Sequence, residues 1–590
     1  MLNNPKPKYM KRSVNLFLLF FLIAFSIDSI ACTNYLVSKG ASADGSTMVS
    51  YAADSHIRYG ELYFRPRGIW PEGSMITLYD RGTNKPLGQI PQPHETYQVI
   101  GFMNEYQVAI GETTFGGRAE LLDSTAIVDY GSLMFLALQR SKTAREAIKV
   151  MAELVEQYGY ASDGESFSVG DPNEVWIFEM VAKKTNMKVD KKTKKLYNAD
   201  KGAEWVAVRI PDGYICSHAN QARITTFPLE NGKNSISSKN LSKIFNPEVE
   251  VVYASDVISY ARAMGYFNGK DEEFSFSDTY APMTFDAARY SELRVWAFFN
   301  HVNGDMKKYW DYATGKDLKH RMPLYIKPDR KLTPQDLQSF KRDHLEGTEL
   351  DMSKDVGAGP YHSPYRWRPL TWKYNGKEYL NERVTATQQT GFSFVAQMRS
   401  WLPNPIGGIF WFGVDDAAST VYVPIYCAIN HVPESFAVGN GDMLTYSSTS
   451  AFWVFNRVAN FAYLRYDLII EDIKKVQSEL ETKFAKYSSV IDAAALKLWE
   501  SDPKLANEFL TDYSVNMAEY TVKRWHELSD WLLVKYIDGN IKQEKNGEFI
   551  RNPWGFPVSP SQPGYPESWR KTVIDDTGNK LLVPEGNTSH

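Results

Sequence analysis

The sequence predicts an α+β protein in which antiparallel sheet is covered by helices. Short β-rich segments recur in pairs, each pair joined by turn-forming residues. Amphipathic helical segments lie between these pairs, and a longer helix-rich segment follows near the C-terminus. Strands in hairpins mixed with amphipathic helices are typical of sheets that bury one face under a helical layer.

The first predicted hairpin spans residues 33–52. Residues 33–38 are rich in β-favouring side chains, residues 40–45 (GASADG) supply the turn, and residues 46–52 continue as a second strand. Three further pairs follow the same pattern: 97–102 with 108–111, 165–169 with 175–179, and 205–210 with 214–218. The chain is therefore expected to enter a sheet almost at once, with Cys32 at the open end of the first hairpin.

Two helices are predicted between the second and third strand pairs. Residues 132–139 and 144–158 carry apolar side chains at helical spacing. Thr143 is placed to cap the second helix, and Gly159 is placed to end it.

Four regions are predicted along the chain. They are a signal peptide (1–31), a catalytic domain (32–450), a helical covering region (451–545) and a Pro- and Gly-rich tail (546–590). The helical region is rich in Leu, Ala, Lys and Glu, and we favour a covering layer over a partner-binding coiled coil.

The N-terminal leader has the pattern of a secretory signal peptide. Four basic residues lie near its start, before the apolar run: Lys6, Lys8, Lys11 and Arg12. The apolar run at 14–27 is shorter than the roughly 20 residues of a membrane span, and Ser29 and Ala31 are small residues at −3 and −1 of a cut before Cys32. We therefore predict export to the periplasm or beyond, and no transmembrane segment in the mature chain.

The composition is that of a globular protein and narrows the possible partners. Of the 590 residues, 43% are apolar and 23% are charged, and the formal net charge is −4. This small negative charge gives no support to nucleic-acid binding. Aromatic residues are frequent and indicate either a large interior or an aromatic-lined cleft. The oligomeric state is not indicated.

The three cysteines are too few for a disulfide framework. We favour buried free thiols at Cys216 and Cys427 over a single bridge between them, because both lie in apolar surroundings. The sequence has no Gly-x-Ser-x-Gly elbow, no His-Glu-x-x-His zinc motif, no phosphate-binding Gly-x-x-x-x-Gly-Lys loop and no EF-hand. No metal or cofactor is predicted, and Cys32 is the main candidate for chemistry.

Cys32 allows three interpretations. It could be a lipoprotein anchor, a structural thiol, or an N-terminal nucleophile exposed by removal of the leader. The anchor is disfavoured because Ser29 stands at −3 and because a predicted core strand follows the cysteine directly. As a nucleophile, Cys32 would carry a thiol of pKa about 8.5 and an α-amine of pKa about 7.7–8.0, so the amine can act as the base.

Several short motifs resemble one known family. They are Cys32-Thr33-Asn34-Tyr35-Leu36-Val37, Ala43-Asp44-Gly45-Ser46-Thr47, Asn104-Glu105, Gly111-Glu112-Thr113-Thr114, Gly164-Glu165-Ser166 with Asp171, Glu174-Val175-Trp176 with Glu179, Ala219-Asn220-Gln221, Glu346-Gly347-Thr348 and Gln388-Gln389-Thr390. In this order the set resembles secreted dipeptidases related to dipeptidase A, which are cysteine peptidases of the N-terminal-nucleophile hydrolase superfamily, akin to bile-salt hydrolases and penicillin V acylase.

The resemblance implies an αββα sandwich, amide-bond hydrolysis and no metal. It implies that Cys32 is the nucleophile with its own amine as base, that Asp54 lies near that amine, and that the Asn220 side chain helps to form the oxyanion hole. Without the resemblance, Asp54 reads as a turn aspartate and Asn220 as a loop asparagine.

The sequence departs from the superfamily at one position. An Arg often stands three residues before the aspartate, and here Tyr51 takes its place. Tyrosine offers a hydrogen bond and no positive charge, so Arg223 or Arg118 are the candidates to supply charge to the thiol.

We therefore expect an exported cysteine dipeptidase that acts on dipeptides or short peptides. Glu112 or Glu165 is a candidate to pair with the substrate amine and Arg223 with its carboxylate, while Tyr51 and Thr113 are further substrate-binding candidates. Two alternatives remain: an amidase on the same scaffold that acts on N-acylated amino acids or bile-acid conjugates, and a non-catalytic surface lipoprotein that binds peptides or glycans.

Overall fold

The computed structural model describes residues 31–55 and 57–585. The predicted signal peptide therefore lies outside the described residues, except for the backbone of Ala31. Within the described part, no helix has both the length and the hydropathy needed to cross a membrane.

The described residues contain 26 strands and 13 α-helices. The strands are β1 (Ala31–Val37), β2 (Thr47–Asp54), β3 (Phe64–Arg65), β4 (Gly68–Ile69), β5 (Met75–Tyr79), β6 (Pro86–Pro91), β7 (Glu95–Thr96), β8 (Val99–Ile100), β9 (Met103–Asn104), β10 (Ala109–Phe115), β11 (Gly164–Gly170), β12 (Val175–Ala182), β13 (Met187–Val189), β14 (Leu196–Asn198), β15 (Ala203–Arg209), β16 (Ile215–His218), β17 (Ser235–Ser237), β18 (Val251–Tyr253), β19 (Tyr325–Ile326), β20 (Thr371–Tyr374), β21 (Lys377–Leu380), β22 (Thr390–Met398), β23 (Gly408–Val414), β24 (Val423–Tyr426), β25 (Glu544–Lys545) and β26 (Glu548–Phe549). The helices are α1 (Tyr130–Arg140), α2 (Ala144–Tyr158), α3 (Val257–Ala263), α4 (Phe276–Tyr280), α5 (Phe285–Ala287), α6 (Leu293–Val302), α7 (Trp310–Ala313), α8 (Pro334–Phe340), α9 (Asn404–Gly407), α10 (Ala451–Leu464), α11 (Tyr466–Ser501), α12 (Pro503–Tyr536) and α13 (Glu567–Thr577).

Sixteen of the strands form two large sheets. The first sheet has the order β19-β16-β1-β2-β22-β23-β24, and the second has the order β17-β18-β15-β12-β11-β10-β9-β8-β3. Strands β1 and β2 of the first sheet pack against β10 and β11 of the second. Helices α1 and α2 pack on the second sheet, and α6, α8 and α12 pack on the first. The predicted α+β class is confirmed.

Strand β1 lies near the middle of the first sheet. It pairs antiparallel with β2, where Cys32 faces Ala53, and with β16, where Asn34 faces His218. Residues 32–37 are buried, since the second sheet covers one face of the strand and helices cover the other. The predicted first hairpin is confirmed, and Cys32 lies at its open end.

Two other predicted strand pairs are wrong. Residues 97–102 do not form one strand: only Val99 and Ile100 are in a strand (β8), which ends before Gly101 with φ 54°. Strands β15 and β16 do not pair with each other: β15 belongs to the second sheet and β16 to the first. The turn at 211–213 therefore carries the chain from one sheet to the other. The predicted pair at 165–169 and 175–179 is confirmed as β11 and β12.

The residues predicted to begin and to end helix α2 occupy the expected positions. The Thr143 side chain accepts a hydrogen bond from the Glu146 backbone nitrogen at the start of α2, and Gly159 ends this helix with φ 76°. A positive φ is the conformation that glycine adopts most readily at such a position.

Helices α10, α11 and α12 occupy the segment predicted to be helical. They pack on one another, and α12 also packs on the edge strand β24 of the first sheet. The fully buried Trp525 of α12 stacks on Phe455 of α10 at a ring distance of 4.7 Å. The division of the chain into domains stays a prediction. All three cysteines are free and buried.

Candidate active site

Cys32 is the second residue of β1 and is completely buried. Its backbone nitrogen donates a 2.8 Å hydrogen bond to Oδ1 of Asn220. Its sulfur lies 3.7 Å from the Tyr51 hydroxyl and 4.0 Å from Oε1 of Glu112. Three predicted site residues thus surround the one cysteine that the sequence singled out.

Asn220 reaches Cys32 because of its backbone conformation. It follows β16 and adopts φ 65°, a left-handed geometry that asparagine tolerates better than most residues. Its Oδ1 also accepts a 2.9 Å bond from Nη2 of Arg294, and its Nδ2 donates a 2.6 Å bond to the Thr114 carbonyl. The oxyanion role of Asn220 stays a prediction.

Tyr51 and Glu112 come from different sheets and meet beside the thiol. Tyr51 lies on β2 and donates its hydroxyl proton to Oε1 of Glu112 on β10. The close approach of the sheets depends on Gly111, where an added Cβ would lie 3.0 Å from Cβ of Tyr51 and 2.8 Å from Nδ2 of Asn34. The glycine therefore lets β10 bring Glu112 within reach of Cys32.

The surroundings of Cys32 favour the protonated thiol. Burial raises the pKa of Cys32 well above its usual value, and the nearby Glu112 and Asp54 carboxylates raise it further. A hydrogen bond with the Asp54 backbone and the contact between the sulfur and the Tyr51 hydroxyl oppose this rise in the pKa of Cys32. An attack by this sulfur therefore needs a base to remove its proton, as general covalent catalysis requires.

Glu165 lies one strand away from Glu112 on β11. It is fully buried and accepts 3.1 and 3.2 Å hydrogen bonds from the Thr114 hydroxyl. Burial and the charge of Glu112 raise the pKa of Glu165 well above its usual value. Oε2 of Glu112 is buried, and in the described part of the chain it has no hydrogen-bond partner. The pairing of Glu112 or Glu165 with a substrate amine stays a prediction.

Thr113 is directed to a different partner. Its hydroxyl lies 2.7 Å from Nδ1 of His218, whose Nε2 lies 2.7 Å from the Ser168 hydroxyl. Burial lowers the pKa of His218 well below its usual value, so this histidine is neutral at pH 7. Thr113 thus takes part in a buried network between the sheets, and its predicted contact with substrate has no support in this geometry.

Asp54 ends β2, where its backbone pairs with that of Ala31, next to Cys32. Its buried carboxylate accepts a 2.6 Å hydrogen bond from Thr390 and forms a 2.5 Å ion pair with Arg383. Asp54 is therefore a strand residue in a buried ion pair, and the reading as a turn aspartate is wrong.

Arg294 is a site residue that the sequence analysis missed. Its Nη1 donates to the Cys32 carbonyl at 2.6 Å and to the Thr33 hydroxyl at 2.8 Å, and its Nη2 donates to the Ala219 carbonyl at 3.0 Å as well as to Asn220. Burial lowers the pKa of Arg294 to about 9, so it keeps its charge at neutral pH. One sequence signal could have identified Arg294. It is a charged residue inside the apolar run at 293–299, and a buried charge requires polar partners.

Arg223 and Arg118 lie in other networks. Arg223 forms a 2.9 Å buried ion pair with Glu292, and it donates to the carbonyls of residues 217, 323 and 324. Arg118 donates to the Thr279 carbonyl and lies 4.0 Å from the centre of the Tyr266 ring. Arg294, and neither of these two, brings a guanidinium to Cys32. The predicted pairing of Arg223 with a substrate carboxylate finds no supporting contact.

Among the residues that the structure describes, no group of three or more His, Cys, Asp or Glu side chains is arranged to hold a metal ion.

Comparison with known proteins agrees with the motif resemblance. Residues 70–479 match the profile of Peptidase family C69. This range includes Glu112, Glu165, Asn220 and Arg294, and it begins after Cys32.

Three curated relatives extend the match over most of the chain. A protein named probable dipeptidase from Latilactobacillus sakei is 24% identical over 80% of this chain and 89% of its own length. A probable dipeptidase from Salmonella dublin is 24% identical over 68% and 82%. A probable dipeptidase B from Lactococcus lactis subsp. lactis (strain IL1403) is 24% identical over 85% and 95%. The family resemblance inferred from the motifs is confirmed, and the chain is a cysteine-type peptidase that belongs to Peptidase family C69.

Proposed function

We propose that this protein is an exported dipeptidase that hydrolyses dipeptides or short peptides through an acyl-enzyme on Cys32. The observation that carries the proposal is the position of Cys32, whose nitrogen contacts Asn220 while its sulfur lies beside Tyr51 and Glu112. The names of the relatives support a dipeptide substrate, since each is described as a probable dipeptidase.

The proposed activation step is removal of the leader between Ala31 and Cys32. While the leader is attached, the Cys32 nitrogen is an amide and has no basic lone pair. After cleavage the same nitrogen is a primary amine, and it is close to the sulfur because both belong to one residue. The two facing sheets with outer helices support an N-terminal-nucleophile αββα sandwich, a fold that presents a nucleophile at the start of a central strand.

The proposed reaction has two halves. The α-amine takes the thiol proton, and Sγ attacks the scissile carbonyl to give a tetrahedral oxyanion. The Asn220 side chain and backbone N–H groups stabilise that oxyanion, and such a donor contributes about 2.7–4 kcal/mol in the transition state. The C–N bond then breaks, and the leaving amine takes the proton from the ammonium of Cys32. A water molecule, deprotonated by the same amine, hydrolyses the thioester and releases the acyl fragment.

Arg294 has a positioning role in this proposal. It donates to the Cys32 carbonyl and to Asn220, so it fixes the two residues relative to each other. Arg294 binds the main-chain oxygen of Cys32 and so places a positive charge near the nucleophile. This charge comes from α6 and not from position 51, where the superfamily often has an Arg.

The test uses protein exported from cells, with its N-terminus determined by mass spectrometry. We expect an unmodified Cys32 amine and hydrolysis of dipeptides. Turnover of N-acylated amino acids or bile-acid conjugates without dipeptide turnover would favour the amidase instead. A diacylglyceryl group on Cys32, or an N-terminus elsewhere, would refute the proposed mechanism.

A further inference from the structure

We propose that Arg81 binds the substrate's C-terminal carboxylate while Glu112 binds its amine, so that the site selects peptides with both ends free. This inference rests on the proposed dipeptidase function. It replaces Arg223, whose guanidinium is held by Glu292 and backbone carbonyls, as the partner of the substrate carboxylate.

Arg81 is held in a defined position by the surrounding backbone. It lies in the turn of the β5–β6 hairpin, where its nitrogen donates a 2.6 Å bond to Asp129 and its carbonyl accepts a 2.7 Å bond from Arg58. Its side chain passes close to Gly131 at the start of α1, where an added Cβ would lie 2.2 Å from Cδ of Arg81. The glycine thus leaves space for the arginine side chain to turn inward.

The guanidinium of Arg81 is unpaired. Its Nε and Nη2 atoms are buried, and among the described residues neither has a hydrogen-bond acceptor and no carboxylate lies within ion-pair distance. Its central carbon lies 5.4–5.5 Å from the ring centres of Tyr63, Phe102 and Phe135. A buried cation with unused donors is an energetically unfavourable arrangement that a bound anion would relieve.

The Arg81 guanidinium is connected to the reacting sulfur through the side chains of Phe102 and Tyr51. Phe102, which contacts Arg81, also meets the Tyr51 ring edge-on at 5.7 Å, and the Tyr51 hydroxyl lies 3.7 Å from the Cys32 sulfur. Burial lowers the pKa of Arg81, but its electrostatic interactions with Tyr63, Tyr130, Tyr51 and Glu112 raise this pKa above its usual value. In the described part of the chain, one buried carboxylate oxygen of Glu112 and two buried guanidinium nitrogens of Arg81 therefore lack hydrogen-bond partners.

The order of these charges fits the covalent structure of a dipeptide. In a dipeptide the ammonium is one carbon away from the scissile carbonyl carbon, whereas the carboxylate is separated from it by a nitrogen and a carbon. Oε1 of Glu112 lies 4.0 Å from the attacking sulfur, whereas Arg81 contacts the Phe102 ring, which in turn packs on Tyr51. The planar guanidinium fork also matches the geometry of a carboxylate and can bind it through two parallel hydrogen bonds.

A purely structural role for Arg81 is the competing explanation, since it contacts three aromatic rings. Arg65 provides the matched control, because its central carbon lies 4.0 Å from the centre of the same Phe135 ring. Its guanidinium nitrogens are not among the buried unpaired atoms of the described residues. Replacement of Arg65 therefore removes a similar cation–π contact without removing the proposed anchor.

The experiment compares a dipeptide with its C-terminal amide and its N-acetyl derivative. We expect the wild type to prefer the free dipeptide over both. Arg81→Met should lower kcat/KM for the free dipeptide at least tenfold, mainly by raising KM. It should change kcat/KM for the C-terminal amide less than threefold. Arg81→Lys should recover part of the loss, and Arg65→Met should leave the preference for the acid intact. Equal losses on acid and amide in Arg81→Met would overturn the proposal.

A binding measurement separates this inference from the proposed function. Cys32→Ala protein, with and without Arg81→Met, is titrated calorimetrically with the dipeptide and its amide. If Arg81→Met weakens binding of the free dipeptide but not of its amide, the Arg81 assignment is supported. Failure of the wild type to hydrolyse dipeptides would then refute only the proposed function. Equal weakening of both ligands, or no binding of either to Cys32→Ala, would refute the Arg81 assignment.

Discussion

The Cys32 nitrogen and Oδ1 of Asn220 lie 2.8 Å apart, although 188 positions separate the two residues in the chain. Pairing of β1 with β16 brings them together, and the left-handed backbone of Asn220 directs its side chain back to the start of β1. An α-amine that donates an N–H to Asn220 keeps its lone pair available for the thiol proton. This contact therefore supports the proposed use of the amine as base.

Removing the Asn220 side chain should abolish most of the activity. Asn220→Ala loses both the acceptor that orients the amine and the N–H proposed for the oxyanion. Loss of one oxyanion donor lowers kcat by about 10²–10³-fold, so we expect a decrease at least that large. Steady-state kinetics on a dipeptide checks this expectation.

Asn104→Ala is the control for loss of a buried asparagine. Asn104 is buried and donates to the carbonyls of Leu138 and Ser141, away from Cys32. Its replacement should reduce thermal stability and leave kcat of the folded protein nearly unchanged. If Asn220→Ala retained wild-type kcat, the contact at Cys32 would have no catalytic importance.

Replacing the Cys32 sulfur should remove hydrolysis without unfolding the protein. Cys32→Ser keeps the shape of the side chain but presents a hydroxyl that the neutral amine ionises far less readily. We expect kcat/KM to fall by about 10³-fold or more, as in other enzymes that lose their nucleophile. Cys427→Ala removes another buried free thiol and should remain active. Loss of activity in both variants to the same degree would argue against a special role for Cys32.

Tyr51→Phe should lower both activity and stability. The hydroxyl of Tyr51 is the donor to Oε1 of Glu112, whose other oxygen already has no partner in the described structure. Leaving a buried polar group unsatisfied costs about 1–3 kcal/mol, and more for a charged group. We expect a fall of that size in the unfolding free energy and a measurable loss in kcat. Unchanged values for both would mean that Glu112 does not depend on Tyr51.

Local signals made part of this structure predictable. Turn residues at 40–45 predicted the first hairpin, and Thr143 and Gly159 predicted the ends of α2. The turn at 211–213 predicted a change of direction correctly, but a turn looks the same whether the chain stays in one sheet or crosses to the next. Local sequence evidence alone therefore does not reveal that β15 and β16 belong to different sheets.

The predictable part of the site is the part that lies in short motifs. Cys32, Glu112 and Asn220 each occur in such a motif, Tyr51 was noted as a departure from the superfamily, and the structure brings all four together. Arg294 is 262 positions from Cys32, and its contacts are set by how α6 packs on the first sheet. Only tertiary structure distinguishes it from Arg223, which is three residues after Asn220 but is directed towards Glu292.

Lys341 allows a prediction about stability and pH. It is completely buried, donates to the Thr33 carbonyl, and lies 4.1 Å from the centre of the Tyr35 ring. Burial lowers the pKa of Lys341 to about 7, although the Asp54 charge opposes this change. In the unfolded chain the pKa of a lysine is about 10.4.

The sign of the effect follows from proton binding. Between about pH 7 and 10 the unfolded chain holds a proton on Lys341 that the folded protein has released, so the free energy of unfolding rises with pH. Below about pH 7 the lysine is protonated in both states, and its contribution no longer changes with pH. The rise can reach about 1.4 kcal/mol per pH unit for one group.

Lys341→Met should remove this rise of the unfolding free energy with pH. Denaturant unfolding of the wild type and the variant at pH 6, 7, 8 and 9 measures it. The wild type should gain stability relative to the variant as the pH increases from 7 to 9, and the difference should stay constant from 6 downward. Lys535→Met is the control, because the buried Lys535 is balanced by Asp472 at 2.8 Å. Its replacement should lower stability by a similar amount at pH 7 and 9. If Lys341→Met also differed from the wild type by a constant amount between pH 7 and 9, Lys341 would have to remain charged beside the Thr33 carbonyl throughout this range.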